Sequence, residues 1–260
     1  MPTPTVMPPP LIQRHPTPHR VDRSALRLPQ LRVRRRLAAL LFVWLCLRVP
    51  LHAQSGQAPP VDLFALSSAS ANAVLPPGWQ TRAVRGQRLP MSRIIDTSGI
   101  RYMRFSGQGQ AGWFVRELPV PLIEAAGRLH WTWRAPLAPR GANVAGAATD
   151  DAALRVFVVF ARHGRFMQRP RVLFYTLADG ELMPDRPASP FGVRIAGRPL
   201  LARDWIGATG DPFLDYRRIW GSAPPQIVAV GVMQDTDQTG NAAIGDVMNL
   251  YWRSENAALP

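Results

Sequence analysis

Acidic, hydroxyl and glycine residues recur at short, regular intervals in the segment Asp235–Asp246 (DTDQTGNAAIGD). Asp235, Asp237 and Thr239 occupy alternate positions, a glycine follows, and Asp246 comes eleven residues after Asp235. This spacing matches in part the D-x-D-x-[DN]-G-x₅-E pattern of a calcium-binding loop, whose oxygen ligands suit a hard cation. A turn rich in Asp, Thr and Gly that joins two strands has the same composition without a metal. The segment therefore predicts either a structural acidic cluster, which we favour, or a Ca²⁺ site.

A second acidic pair, Asp150 and Asp151, directly precedes a strongly apolar segment. It would join the first cluster if the two strand ends are neighbours, and it would otherwise pair with arginine or cap a turn. Carboxylates held close together raise one another's pKa unless something offsets their charge. By sequence position, Arg155 and Arg253 are the candidates for that offset.

Seven of the eight tryptophans follow residue 53. An exposed indole ring can stack on the C–H face of a sugar, whereas tryptophans at alternate positions of a strand are typical of a core. We therefore expect Trp131 and Trp133 to be core residues. Trp113 and Trp205 lie near glycine-rich turns and are the candidate ligand-binding residues.

Signatures of catalysis are sparse, and we assign no catalytic residue. His130 and His163 are the only histidines after residue 53, and no G-x-S-x-G nucleophile motif is present. The glutamates are scattered, without a close pair for glycoside hydrolysis. Whether the protein is an enzyme stays open; a hydrolytic pair would have to come from the four aspartates already named, at positions 150, 151, 235 and 237.

The N-terminal segment has the pattern of an export signal. The basic run Arg32–Arg36 is followed by an apolar run, Leu37–Leu47, and then by a small residue, Ala53. The apolar run is too short to span a bilayer, which takes about 20 residues. We therefore expect cleavage near Ala53, a periplasmic or secreted product, and no stable transmembrane anchor after cleavage. The single cysteine, Cys46, would be removed, and disulfides and thiol chemistry with it.

The charge of the chain is concentrated in the same segment. The formal net charge is +14, and residues 1–53 contain nine arginines and one acidic residue. The remaining 22 arginines and 16 acidic residues leave only +6 on the rest of the chain. No clustered basic stripe is present, so we expect no nucleic-acid partner.

The rest of the chain divides into a lead-in and one domain. Residues 54–75 are rich in Ser, Ala and Pro and are predicted to be a linker or a loosely attached lead-in, with Phe64 and Leu66 as candidates for a first edge strand. Residues 76–260 contain short apolar or alternating segments separated by turn residues, which predicts a mainly β antiparallel sandwich of jelly-roll or galactose-binding-like type. One short helix is expected near residue 215, capped by Asp211 and ended by Gly221. The predicted strands cover residues 100–105, 113–115, 128–134, 153–161, 172–177, 227–233 and 247–252.

Six segments together resemble a known bacterial family of exported proteins, the domain of unknown function numbered three-zero-four-seven. They are PPGW at 76–79, LHWTWR at 129–134, DDAALRVFVVF at 150–160, LFYTLADG at 173–180, DYRRIWG at 215–221 and VMQDTDQTG at 232–240 followed by GD at 245–246. The resemblance spans about residues 76 to 252. It implies export and a β-sandwich similar to galactose-binding-like domains, and it implies no reaction.

From these features we expect a non-catalytic exported β-sandwich that binds a carbohydrate or another component of the cell envelope. It requires no cofactor apart from the Ca²⁺ considered above. Two alternatives remain open: a periplasmic glycan hydrolase that uses an Asp pair, and an envelope scaffold protein.

Overall fold

The computed structural model describes residues 59–122, 127–162, 169–178, 190–198 and 203–255. Within these ranges there are twelve strands, one 3₁₀ turn (Leu66–Ser68) and one α-helix. The elements are β1 (Val61–Asp62), β2 (Trp79–Ala83), β3 (Met91–Thr97), β4 (Ile100–Gln108), β5 (Ala111–Leu122), β6 (Gly127–Leu137), β7 (Ala152–Phe160), β8 (Val172–Leu177), β9 (Phe191–Gly197), β10 (Ile206–Gly210), α1 (Pro212–Trp220), β11 (Ile227–Asp235) and β12 (Ala242–Ser254).

The strands form two sheets of six. The front sheet has the order β10-β6-β12-β4-β3, and β1 also pairs with β12. The back sheet has the order β2-β5-β11-β7-β8-β9. All pairs are antiparallel except β8 with β9, which run parallel. The predicted mainly β sandwich with one short helix is confirmed.

The alternation predicted for β6 sets the two faces of the front sheet. Trp131 and Trp133 point inward and are at most 2% exposed, so the core prediction for them is confirmed. His130, Thr132 and Arg134 are half-buried on the outer face. Because side chains alternate along a strand, these three residues lie in one row.

The back sheet is buried on both faces along its central strands. Nearly every residue of β7 is buried, as its apolar sequence predicted. The inward side chains join the core between the sheets. On the outer face a second apolar layer forms around Phe157, Phe174 and Met233.

Helix α1 begins and ends where its sequence predicted. The Asp211 carboxylate accepts a hydrogen bond from the Leu214 N–H, and Pro212 occupies the first helical turn. Gly221 ends the helix at φ 65°, a left-handed conformation that glycine adopts without strain. The buried aromatic face of the helix closes the core near β7, where Tyr216 packs on Phe160.

The described part of the lead-in, which begins at residue 59, packs against the sandwich. β1 pairs with the end of β12, and Leu63 and Phe64 are at most 2% exposed. The Arg116 guanidinium donates a hydrogen bond to the Leu63 carbonyl. The described part of this segment is therefore attached to the sandwich, because its apolar residues fill the core beside Trp79.

The predicted export segment, residues 1–53, lies outside the described residues, and so do Asp179 and Gly180, the turn residues expected after the predicted strand 172–177. Across the part of the chain that the structure describes, no helix is long and apolar enough to cross a membrane.

Candidate functional site

Three of the predicted aspartates meet where β7 begins and β11 ends. One carboxylate oxygen from each of Asp151, Asp235 and Asp237 lies within 4.8 Å of the other two. The pairing of β7 with β11 explains this, because Asp235 is opposite Ala152, the neighbour of Asp151. These three residues are called the acidic cluster below.

Asp151 holds the turn between β11 and β12. Its carboxylate accepts hydrogen bonds from the backbone N–H groups of Gln238 and Thr239, at 3.1 and 2.8 Å, and from the Thr239 hydroxyl. This role belongs to Asp151 because β7 runs beside β11 and delivers a carboxylate from a distant part of the chain.

Arg155 supplies positive charge on one side of the cluster. Its Nη2 donates to the Asp150 carboxylate at 2.7 Å, and its Nη1 lies 3.5 Å from Asp235 Oδ2. Asp150 is thus held by arginine rather than by the acidic cluster. Burial nevertheless raises the pKa of Asp150, against the opposing effect of Arg155.

Asp235 is the most strongly perturbed carboxyl of the group. Its side chain is 8% exposed, and burial raises its pKa to about 7, with Asp237 and Asp151 adding to the rise and Arg155 opposing it. The Oδ1 atoms of Asp235 and Asp237 have no hydrogen-bond partner among the described residues.

Asp246 does not join the acidic cluster, and its predicted place there is corrected. It points to the outer face of the front sheet, where Arg104 on β4 and Arg134 on β6 stand directly opposite it. Arg104 binds both of its carboxylate oxygens at 2.7 and 2.8 Å, and Arg134 Nε binds one at 2.7 Å. The hydrogen bonds to Asp246 raise the pKa of Arg104. Arg253, the other predicted counter-charge, lies over Tyr251 instead.

The second predicted tryptophan, Trp205, lies beside this ion pair network. The half-buried Trp205 ring meets Tyr102 edge to face with centroids 5.2 Å apart. The Arg134 guanidinium carbon lies 4.5 Å from the centre of the Trp205 ring. We call Tyr102, Arg104, Arg134 and Trp205 the aromatic–arginine patch.

A second aromatic pair lies on the same outer face. The rings of His130 and Tyr251 stack at 4.9 Å with an interplanar angle of 9°, and His130 Nδ1 is 3.0 Å from the Thr209 hydroxyl. His130 and Arg134 are four residues apart on β6, which corresponds to about 13 Å along an extended strand. Partial burial, followed by Arg253 and Arg128, lowers the pKa of His130.

Trp113 occupies a different environment. Its half-buried ring packs against Phe157, Phe174 and Phe191 on the outer face of the back sheet, with centroids 5.0, 5.3 and 6.4 Å away. It therefore belongs to the second apolar layer and does not share a face with Trp205. The predicted pair of exposed tryptophans is not brought together.

A polar cleft that sequence reasoning missed lies beside α1. It has a volume of about 370 Å³ and is lined by Arg128, Arg194, Arg218, Tyr175 and Asp215 among others. The Tyr175 hydroxyl donates to Asp215 at 2.9 Å, which fixes that carboxylate against the core. The sequence around Asp215 does not indicate that Tyr175, 40 residues away, would bind its carboxylate.

The strands and loops that carry these groups overlap the segments that resembled a known family. Residues 77–187 match the family described as Protein of unknown function (DUF3047). Over these residues the match confirms the resemblance that the sequence motifs indicated, whereas the segments at 215–221 and 232–246 lie beyond it. The DUF3047 match includes β2 to β8 and ends before α1, β11 and β12, so Asp151 and Arg134 lie within it and Asp235 lies beyond it.

Several solved structures are similar to this chain. One is the family 11 carbohydrate-binding module of a cellulosomal cellulase of Clostridium thermocellum, with 12% identity, a TM-score of 0.42, and coverage of 76% of this chain and 95% of that one. Another is the CBM22-1 xylan-binding domain of Paenibacillus barcinonensis Xyn10C, with 14% identity, a TM-score of 0.34, and coverage of 70% and 88%. A third is the family 11 xylanase of Neocallimastix patriciarum, with 11% identity, a TM-score of 0.39, and coverage of 68% and 91%. No curated protein matches the chain.

Proposed function

We propose that this protein is exported and binds a saccharide, without catalysis, on the outer face of the front sheet. The observation that carries the proposal is the half-buried Trp205 ring held beside Arg134 on that face. A sugar presents apolar C–H surface and hydroxyl groups together. An indole ring contacts the first, and a guanidinium donates hydrogen bonds to the second.

The patch is organised before any ligand arrives. Asp246 is fully buried and binds both Arg104 and Arg134, so neither guanidinium has to be ordered by the ligand. The Trp205 ring is held by Tyr102 and Arg134. Preorganisation of this kind lowers the entropic cost of binding.

The His130–Tyr251 stack provides a second contact point. Since it lies about 13 Å from Arg134 along β6, a ligand that touched both places would contain more than one sugar ring. Thr132, half-buried between His130 and Arg134 on the same row, adds a hydroxyl to this surface. The face therefore suits an oligosaccharide better than a monosaccharide.

The geometry of the acidic residues favours binding over hydrolysis. Carboxyl groups of glycosidases are separated by about 5–5.5 Å or 6.5–9.5 Å. The oxygens of the acidic cluster lie within 4.8 Å, and the Asp235 side chain is 8% exposed, which leaves a glycosidic bond little access. Asp150 and Asp151 are engaged by Arg155 and by the Gln238–Thr239 turn.

The proposal of export rests on the Arg32–Arg36 run, the apolar run after it and the small residue Ala53. A mature chain without cysteine would fold in an oxidising compartment without forming disulfides. N-terminal sequencing of the protein from its host should find a start near Gln54. Retention of residues 37–50 on a soluble cytoplasmic product would contradict export.

Glycan-array screening followed by calorimetry of the best ligand tests saccharide binding. Trp205→Ala should weaken binding at least tenfold, because the stacking surface is lost. Met91→Ala is the matched control, since Met91 is 65% exposed at the β3 edge of the same sheet and is not one of the patch residues. Unchanged affinity in Trp205→Ala would refute the assigned face. Release of reducing ends by the wild-type protein would refute the absence of catalysis.

A further inference from the structure

We propose that the acidic cluster binds Ca²⁺. The proposal is independent of the saccharide-binding face, because Asp151, Asp235 and Asp237 lie at the β7 and β11 ends of the back sheet. Their donors are all carboxylate oxygens, which suit a hard cation rather than zinc or copper.

The distances fit the size of calcium. Ca²⁺–oxygen bonds are about 2.3–2.6 Å long, so two oxygens bound to one ion lie at most about 5 Å apart. The three carboxylate oxygens already lie within 4.8 Å of one another. No rearrangement of the backbone is needed to place one ion between them.

Two buried carboxylate oxygens of the cluster have no hydrogen-bond partner among the described residues. Asp235 is more than nine-tenths buried, and its Oδ1 accepts no hydrogen bond from any described residue; the same holds for Asp237 Oδ1. A buried carboxylate oxygen without a donor is costly. A cation between the converging carboxylates would satisfy both atoms at once.

The charge balance leaves room for a divalent ion. When all four are ionised, Asp150, Asp151, Asp235 and Asp237 carry four negative charges. Among the described residues, Arg155 pairs with two of them, Asp150 and Asp235. Arg155 lies near the Oδ2 atom of Asp235, and its shortest hydrogen bonds go to the carbonyl and carboxylate oxygens of Asp150. Among the residues that the structure describes, no arginine forms a salt bridge with Asp237.

Asp151 can take part although its oxygens already accept hydrogen bonds. An ionised carboxylate has about four acceptor positions, and the bonds from Gln238, Thr239 N–H and the Thr239 hydroxyl use three of them. Calcium bound here would join the start of β7 to the end of β11 and to the turn that follows it. It would stabilise the native state only, because the three ligands come together only on folding.

Thermal unfolding of the exported chain, stripped with a chelator and then titrated with calcium chloride, tests the site. The Tm should rise with calcium concentration, by about 5–10 °C at a hundredfold excess over Kd. Asp237→Asn should abolish the rise, and Asp150→Asn, the matched control, should keep it because Asp150 binds Arg155. Calorimetry on the folded wild-type protein at 25 °C should show one calcium per chain.

Equal Tm values in chelator and in millimolar calcium, together with no heat of binding, would overturn the proposal. An equal response to magnesium and calcium would overturn the assignment to calcium. Should Asp237→Asn fail to fold, Asp237→Glu, which keeps the charge but lengthens the side chain, is the second variant. Wild-type affinity for calcium in that variant would contradict a site built at these distances.

Discussion

Asp246 faces an arginine on each neighbouring strand, and this single position connects β4, β12 and β6. Its carboxylate is fully buried, whereas Arg104 and Arg134 remain 35% and 25% exposed. Removing the buried carboxylate would leave both arginine charges without their partner. The resulting loss of folding free energy is generally larger than the net stabilisation that a buried ion pair provides.

We therefore expect Asp246→Asn to lower the free energy of unfolding by about 3 kcal/mol, measured by urea denaturation. Saccharide affinity should fall as well, because Arg134 loses the group that orients it against Trp205. Asp96→Asn breaks a more exposed pair with Arg101 and serves as the control, with a loss under about 1 kcal/mol. Equal losses in the two variants would show that burial of Asp246 is not the decisive factor.

His130 should titrate below the ordinary histidine pKa of about 6.5, because partial burial and then Arg253 and Arg128 disfavour its charged form. The unfolded chain then binds the proton more tightly than the native state does. The stability contributed by neutral His130 is present above pH 6.5 and is lost as the pH falls through its folded pKa.

An NMR titration of the imidazole signals checks this midpoint. Arg253→Gln should move it upward, and Arg93→Gln, a change elsewhere on the front sheet, should leave it unchanged. A wild-type midpoint above 6.5 would contradict the electrostatic account.

For individual residues, the sequence indicated which side chains belong to a site more readily than which side chains they contact. The acidic turn and the pairing of Arg155 with Asp150 were visible in the sequence, because in each case the residues are close together in the chain. The separation of Asp246 from Asp235 was not, because it depends on a register: Asp246 is paired with residues 142 and 112 positions away. A linear calcium-loop pattern assumes that all its members face one centre, and a strand that turns alternate residues outward violates that assumption.

Among the elements, β11 and β7 pack closely only because of a glycine. A Cβ added to Gly231 would lie 2.2 Å from the Phe157 ring and 2.4 Å from the Phe114 carbonyl oxygen. The carbonyl belongs to the neighbouring strand and cannot move without breaking the ladder between β5 and β11.

Gly231→Ala should therefore destabilise the domain by about 1–3 kcal/mol, the usual cost of overpacking. Gly207→Ala on β10 is the matched control, since nothing lies within 4 Å of its added Cβ. Urea midpoints measure both. A Gly231→Ala protein as stable as the control would mean that the two strands separate at little cost.

Most elements followed from local patterns. Segments with alternating apolar and polar residues form strands with one face toward the solvent, and the uniformly apolar segment forms the central strand β7. Asp211-Pro212 and Gly221 set the limits of α1. The parallel pairing of β8 with β9 was not predictable in this way. Nothing in the sequence of either strand records which neighbour it will have, and that choice depends on how the chain between them crosses the sheet.

For the whole molecule, the lead-in decides where the folding unit begins. Leu63, Phe64 and Leu66 are all buried although they precede the boundary expected at residue 76. A chain that starts at Pro76 should be less stable than one that starts at Gln54, by on the order of 5 kcal/mol, since each buried apolar side chain contributes about 1.5–3 kcal/mol.

Urea denaturation followed by far-UV circular dichroism compares the two chains. Replacing residues 54–58 with a Gly-Ser sequence of equal length is the control, because these residues precede β1, and it should leave the midpoint unchanged. Identical midpoints for the Pro76 and Gln54 chains would show that the lead-in covers the core without stabilising it.

Strand β12 is the last strand of the described chain, and yet it is central in the front sheet, where it pairs with β6, β4 and β1. Its partners therefore leave the ribosome long before it does, and the front sheet cannot close until residues 242–254 have been made. Pairings of such high contact order form slowly. We therefore expect the front sheet of the nascent chain to stay open until β12 has been made, which would keep the chain threadable through a narrow pore if it is exported unfolded.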